Sequence, residues 1–570
     1  MKKFSKQILI LAWIILVSPL GSYAQNMSEK AIEKARTHHE VPDNPYRPPS
    51  ANQLRSPAHT ERSSGYFTKQ VNVDANGQNI VGDAANEPSI AVDPKNPNHI
   101  VIGWRQFDNV TSNFRQAGYG YSSDGGQHWT FPGVIDPGVF RSDPVLDVDT
   151  SGVFYYNSLT ANANLYTCKV YKSTNGGATW DQGTDAHGGD KQWMVIDRSG
   201  HQGTGNIYAY WTQYYSSCQP GFLTRSTNAG ASYDDCQWVD NDPFWGTLTV
   251  GPEGELYVCG AWSSDGILVA KSTNAQVVGS AIVWDINNYA NMDGNLVSQS
   301  PINPVGIMGQ ANVDVDRSNG PGRGNVYVLA AVKRISNTDP GDVMFARSTD
   351  GFLTFDPPVR INSDVSTTNY QWLATMSVAP NGRIDVAWLD TRDAPAGSFL
   401  SALYYSYSVD QGVTWSANEK LSDLFDPSVG YPQQSKMGDY FDMMSDNTGA
   451  HLAWSNTLNG EEDVYYTHII PNIVGINGDP GQQKMALSCS PNPFSDHTTV
   501  SYTVNEENVV KVVLCNIYGS EIRTLVDRKE AAGNYRVNFS DRDLPAGFYL
   551  CRISAGSHVE TTRLVKLNSN

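Results

Sequence analysis

The sequence predicts an all-β protein, and three observations carry that prediction. A turn-forming octapeptide recurs along the chain at intervals of roughly fifty residues, as in repeat architectures. Between its copies lie short apolar runs bounded by Gly-, Asp- and Asn-rich turns, with few stretches of helical period. Composition agrees, since 50 Gly, 14 Trp and 29 Tyr in 570 residues suit many strands joined by tight turns.

The octapeptide first reads Ser122-Ser123-Asp124-Gly125-Gly126-Gln127-His128-Trp129, then Ser173-Thr174-Asn175-Gly176-Gly177-Ala178-Thr179-Trp180. Looser copies centre on Asn228, Asp350 and Asp410, and a broken one begins Ser272-Thr273-Asn274. In a hairpin turn, Asp or Asn caps its own backbone and Gly takes a positive φ, so the aromatic folds back between neighbouring sheets. This pattern resembles the Asp-box of sialidase-like β-propellers, Ser-x-Asp-x-Gly-x-Thr-Trp. In that family the box is a structural turn on the face away from the active site. The resemblance therefore implies a propeller fold and a structural role for Asp124, Asn175, Asn228, Asp350 and Asp410.

Around each box a full unit is legible: a short apolar strand, a turn, a second strand that often ends in Trp, a third strand leading into the box, and a fourth after it. First strands begin near Glu87, Asp143, Gln192, Trp245, Ala311, Trp372 and Asp439, which makes seven. The last unit has a third strand at Asp463-Val464-Tyr465-Tyr466-Thr467-His468 and then stops. Ahead of the first unit stands an unassigned alternating strand, Tyr66-Phe67-Thr68-Lys69-Gln70-Val71-Asn72-Val73. Inserted into the last blade it would leave no open sheet edge. The expected architecture is a seven-bladed β-propeller over 66–470.

The ends read differently. Residues 1–24 have the form of a signal peptide: Lys2, Lys3 and Lys6, an apolar run, then Ser22-Tyr23-Ala24. Residues 25–65 are polar and rich in Pro, a flexible tether. A linker at 471–484 precedes a small module at 485–570. That module opens with Ser490-Pro491-Asn492-Pro493-Phe494 and continues in alternating strands such as Thr499-Val500-Ser501-Tyr502-Thr503-Val504, the pattern of a small β-sandwich. It resembles the C-terminal sorting domain of type IX secretion cargo from Bacteroidota. The resemblance implies the type IX machinery as a partner, passage across the outer membrane after Sec export to the periplasm, and a protein released or held at the cell surface. No apolar run in the mature chain is long enough to span a bilayer as a helix.

A formal charge of −18 argues against a nucleic-acid partner, which calls for clustered Lys and Arg. Of seven Cys, Cys218 and Cys236 flank one box hairpin and are the favoured disulfide pair; an odd count leaves at least one thiol over, and sequence does not fix the pairing. No Cys/His cluster has zinc spacing, so no cofactor is expected. Asp147-Val148-Asp149-Thr150-Ser151-Gly152 and Asp314-Val315-Asp316-Arg317-Ser318-Asn319 resemble the start of a calcium loop but lack the closing acid and flanking helices. Hairpin turns explain them, and a surface calcium ion stays compatible with them.

In a propeller of this strand order, residues just before first strands and just after second strands gather on the face opposite the boxes. Glu87, Arg141, Asp143, Asp190, Lys191, Lys436 and Asp439 stand before first strands; Arg105 and Arg392 follow second strands; Trp193, Trp245, Trp372 and Tyr440 interleave. A mixed-charge, aromatic funnel suits a sugar, with rings stacking on pyranose faces and charged groups holding hydroxyls or acids. The ligand-binding candidates are Glu87, Arg105, Arg141, Asp143, Lys191, Trp193, Trp245, Trp372, Arg392, Asp439 and Tyr440. The competing reading is structural. Trp104, Trp211, Trp262, Trp388 and Trp454 share one repeat position, as blade-to-blade packing requires, and Asp390-Thr391-Arg392-Asp393 has the form of an inter-blade clamp.

Two function classes remain. One is a non-catalytic module binding glycan or a surface protein on the funnel face. The other is a glycan-active enzyme: a glycoside hydrolase using two carboxylates, less readily a polysaccharide lyase or a true exo-sialidase. Sialidases place an Arg at the start of the first blade, where this chain has Asn86-Glu87-Pro88-Ser89, and they have six blades. No catalytic residue is identified by sequence.

Overall fold

The computed structural model describes residues 44–49, 52–162, 165–263, 266–472, 487–504, 507–516, 521–540, 544–555 and 558–567. The expected signal peptide and most of the expected linker lie outside them. The chain divides into two units, Met1–Asn472 and Ile473–Asn570, and it is all-β. Among the described residues no helix is long and apolar enough to cross a membrane.

In the first unit, antiparallel sheets of three to five strands follow one another along the sequence. Their first strands are Ala84–Val92, Ser142–Val148, Trp193–Ile196, Leu248–Val250, Asn312–Val315, Gln371–Val378 and Asp442–Ser445, heading the first to the seventh sheet. Each first strand lies beside that of the next sheet, and the seventh lies beside the first. The seventh sheet is completed from the other end of the unit. Tyr66–Gln70 pairs antiparallel with Asp463–Ile469, in register from Tyr66 opposite Ile469 to Gln70 opposite Tyr465. Thr60–Arg62 adds a further edge strand. Two short strands, Arg55–Pro57 and Thr60–Arg62, thus fall within the stretch expected to be a tether.

A first strand pairs on one side only, so the amides of its free edge need other acceptors. Side chains of the neighbouring first strand supply them. Ser89 Oγ accepts from the Leu146 amide at 2.9 Å, Asp147 Oδ2 from Ile196 at 2.7 Å, and Thr247 Oγ1 from Val313 at 3.0 Å. Asp314 Oδ2 accepts from Val378 at 2.8 Å, Ser377 Oγ from Ser445 at 3.0 Å, and Asp442 Oδ2 from Ile90 at 3.0 Å. Successive sheets are therefore stitched at six joints, including the one that brings the seventh back to the first. Asp147 and Asp314 serve here, while Asp149 and Asp316 cap their turns by accepting from Ser151 and Ser318 amides at 2.8 and 2.7 Å. The two carboxylates of each pair have separate tasks.

The octapeptide turns close on one set of bonds. Gly126, Gly177, Gly230 and Gly412 amides each donate to the Ser four residues before, at 2.9 Å. The Asp or Asn accepts from the amide four residues on, as Asp124 does from His128 and Asn175 from Thr179, both at 3.0 Å. Glycine at the close is required twice over. Gly126 has φ +82°, and a Cβ there would sit 2.1 Å from the Tyr466 ring of the seventh sheet. The box aromatic reaches back the same way: Trp129 meets Tyr466 at 5.3 Å between centroids, and Trp415 of the sixth sheet meets Phe345 of the fifth at 5.0 Å.

The Trp that ends second strands fills the space between sheets. Trp104, Trp211, Trp388 and Trp454 are at most 1% exposed; the side chain of Trp262 lies outside the described residues. Trp104 packs with Val464 and Tyr466 of the seventh sheet, Trp454 with Trp372 and Leu389 of the sixth, and Trp388 with Tyr327 and Leu329 of the fifth. Each removes roughly 150–250 Å² from water, about 4–6 kcal/mol at about 25 cal/mol per Å².

The second unit has two antiparallel sheets. Leu487–Ser490, His497–Val504 and Gly533–Ser540 form one; Glu521–Glu530, Asn508–Cys515, Gly547–Ala555 and His558–Lys566 form the other. Alternate residues of His497–Val504 are buried, and Val500 and Tyr502 share a core with Val510, Val512 and Ile553 across the sheets.

Candidate functional site

Five of the seven sheets use the same backbone device where the first strand begins. Glu87, Asp143, Lys191, Trp245 and Leu373, each five positions before the last residue of its strand, have φ between +47° and +60°. Such values are uncommon for side chains of this size and cost of order 1–3 kcal/mol each. Register shifts accompany them in the first and sixth sheets, between Asn86 and Ser89 and between Trp372 and Thr375. A bulge of this kind re-aims a side chain. Here it brings Glu87, Asp143 and Lys191 together.

The result is a run of alternating charge. Arg105 Nε lies 3.2 Å from Glu87 Oε2, and Lys436 Nζ lies 3.0 Å from Glu87 Oε1 and 2.6 Å from Asp439 Oδ2. Lys191 Nζ lies 2.6 Å from the same Asp439 oxygen, 3.5 Å from Asp190 Oδ1 and 3.7 Å from Asp143 Oδ2. None of these seven side chains is more than 1% exposed. Arg115, equally buried, donates to Ser142 Oγ at 3.2 Å, and Ser142 donates to Asp143 Oδ1 at 2.6 Å.

Burial and charge pull these groups apart. Burial pushes Glu87 up to about 7, against the lowering effect of Arg105 and Lys436. Burial also takes Asp190 to about 7 although Lys191 opposes it. Asp143 feels the same burial, but Lys191, Arg105 and Lys436 outweigh it and hold its carboxyl well below the usual range. Lys191 stays charged because Asp143, Asp190 and Asp439 override its own burial.

An inserted hairpin covers the cluster. Ser298–Ser300 pairs with Asn303–Ile307, in the stretch between Gly294–Asn295, an edge strand of the fifth sheet, and that sheet's first strand. Asn303 Nδ2 donates to Gly438 O at 2.8 Å, its Oδ1 accepts from the Met437 amide at 3.1 Å, and the Ile307 amide donates to Asp439 Oδ1 at 2.9 Å. Below the cluster Tyr440 crosses the axis, donating to Pro144 O at 2.8 Å and meeting Trp193 edge-on at 5.2 Å. Trp193 also lines an axial cavity of about 590 Å³, to which every first strand contributes and which runs to the turns at the other end.

The open funnel expected from the sequence is therefore corrected. Ten of its eleven candidates are buried, at 8% exposure or less, and only Arg392 is partly exposed. Glu87, Arg105, Asp143, Lys191 and Asp439 face one another. Arg141 pairs with Asp136 at 2.7 Å and lies over the Tyr171 ring. Arg392 holds Asp390 through Nε and Nη2 at 2.9 and 2.6 Å, lies over Tyr404, and reaches Ser363 Oγ at 3.5 Å and Asp364 Oδ1 at 3.9 Å on the segment that leaves the fifth sheet. Trp245 packs edge-on against Phe244, and Trp372 donates to Ser401 Oγ at 3.2 Å inside the core. The physical reason is twofold: Arg141, Trp245 and Trp372 are packed within the sheets, and at Asp439 a hairpin with no counterpart in the repeat is bonded over the segment 437–439. Asn303, the hairpin's clasp, was invisible to a reading by repeat position.

Beside Asp143, the buried polar groups of Asn157, Ser158 Oγ and Gln192 Oε1 have no hydrogen-bond partner among the described residues, so the site holds unused polar capacity. Cys218 and Cys236 are disulfide-bonded. With His187 they are the one trio of metal-ligating side chains that converges among the described residues, and the bond occupies both sulfurs.

Comparison with known proteins places the second unit more firmly than the first. No curated protein matches the chain. Among solved structures it is similar to a protein of unknown function from Dyadobacter fermentans (13% identity, 72% of this chain and 99% of that one, TM-score 0.40). It is also similar to an ulvan lyase (9%, 70% and 96%, TM-score 0.41) and to the Trypanosoma rangeli sialidase (10%, 90% and 89%, TM-score 0.35). These are distant likenesses. Residues 489–567, by contrast, match the family described as the secretion system C-terminal sorting domain. The chain thus carries a type IX sorting domain at its C-terminal end, and the protein is one destined for secretion or the cell surface.

Proposed function

We propose that the protein is a non-catalytic binding module: a seven-bladed β-propeller, carried out of the cell by a small β-sandwich, that takes a glycan or a surface protein on the face where its first strands begin. One observation carries this reading. The carboxylates best placed for acid–base chemistry are spent on Arg105, Lys191 and Lys436 inside a closed network under the Ser298–Ile307 hairpin. A buried ion network of this kind fixes the arrangement of elements more than it offers groups to a substrate. The ligand surface is then built by the segments that cover the network.

A second reading, a glycan-active enzyme, is favoured by one feature: Glu87 and Asp190 are both pushed up to about 7, where a carboxyl serves as a general acid at neutral pH. A glycan array followed by product analysis on any hit separates the two. Retention without turnover supports binding, and released sugar overturns it in favour of the enzyme. Delivery is tested separately: a chain ending near Pro480 should fold and stay in the periplasm of its native host, and normal surface display of that chain would contradict the sorting role.

A further inference from the structure

The second unit holds three cysteines, and two of them meet across its sheets. Cys489 lies on Leu487–Ser490, opposite Val500 in one sheet. Cys551 lies on Gly547–Ala555, opposite Leu514 in the other. Cys551 belongs to a core cluster of the unit and Cys489 packs against that cluster, and each thiol is the chief influence on the other's titration, lowering Cys489 and raising Cys551. Cys551 is wholly buried, whereas Cys489 is half-buried on a four-residue strand that ends its sheet and pairs on one side only. The chain already carries one disulfide, Cys218–Cys236, and its sorting domain sends it to compartments where disulfides form and persist.

We propose that Cys489 and Cys551 are a disulfide site, oxidised after export, which staples the edge strand of the sorting domain to the opposite sheet. The chemistry needs a protein disulfide as oxidant. The Cys489 thiolate attacks one sulfur of that disulfide and expels the other as thiolate, giving a mixed disulfide. Cys551 sulfur then displaces the oxidant from Cys489 and the new S–S bond forms. Two electrons and the two thiol protons pass from the pair, leaving the oxidant as a dithiol. Cys489 acts first because it is the exposed member; fraying of its short edge strand then admits the exchange at Cys551. Cys515, on the strand paired with that of Cys551, is the competing partner.

The test uses the full chain exported to an oxidising periplasm, denatured, and treated with a maleimide mass tag without reduction. Seven cysteines less Cys218 and Cys236 leave five free thiols, and the proposed bond lowers that number to three. Three tags, with a non-reduced peptide joining Cys489 to Cys551, is the expected result. Five tags overturns the proposal, and so does three tags with Cys515 in the linked peptide. Reduction should also lower the melting temperature of the second unit, and Cys489→Ser should abolish that dependence on reductant. An equal drop in Cys489→Ser protein would show that the bond lies elsewhere.

Discussion

Carboxylates do opposite work at the two ends of the first unit. At the outer turns Asp350 accepts from the Thr354 hydroxyl and amide in full solvent, and those bonds take it down to about 2. At the axis Glu87 is sealed from water, and burial takes it up to about 7 despite two cations in contact. The turn carboxylates satisfy neighbours four residues away; the axial ones also take partners from other sheets, as Glu87 does Lys436 and Asp439 does Lys191. Local motif and distant assembly place different demands on one functional group.

If that contrast is right, removing an axial charge should cost far more than removing a turn acid. Lys191→Met removes the cation shared by Asp143, Asp190 and Asp439 and should destabilise the first unit by about 3–5 kcal/mol, read from urea unfolding. A loss under about 1 kcal/mol would mean that the cluster tolerates opening, and would favour the enzyme reading.

The next effect is of pH. Glu87, Asp190 and Asp463 all rise to about 7 from ordinary values near 4, so the folded state holds their protons more tightly than the unfolded one. Their contribution is greatest below pH 4 and is lost as pH rises through 7. Melting temperatures between pH 4 and 7 should therefore decline through these groups. Asp190→Asn, neutral throughout, should flatten the decline, and an unchanged slope would remove Asp190 from the account.

Gly126→Ala probes the turns where they touch the preceding sheet. It forces a Cβ into the Tyr466 ring at a positive φ and should cost about 2–3 kcal/mol. Differential scanning calorimetry would show it. Smallest of all, Asp124→Ala and Asp410→Ala should each cost roughly 1–2 kcal/mol, the size of a lost cap. Neither should change ligand affinity in folded protein; a large affinity loss at constant melting temperature would place the working face at the turns.

The same contrast decides what could be read from sequence. The octapeptide turns are legible because Ser, Asp, Gly and aromatic act within eight residues of one another. Tyr66–Gln70 is legible by elimination, as an alternating strand beside a unit short of its last strand. Position relative to first strands picked out Glu87, Asp143, Lys191 and Asp439. It did not reveal that they pair with one another, because that depends on left-handed backbone at Glu87, Asp143 and Lys191 and on an insertion with no repeat signature. Asp147 and Asp314 read as turn residues, since nothing local marks an acceptor for an amide on the next sheet.

The pairing of Tyr66–Gln70 with Asp463–Ile469 gives the first unit a timetable. Thr68 and Thr467, which share a hydrogen bond, are 399 residues apart, so the strand made first waits for the strand made last. Contacts of such long range form slowly, and until they form both partners are open edges able to pair with other chains. A chain cut short before Asp463 never loses those edges. Completion of the seventh sheet is thereby conditional on both ends of the unit being present.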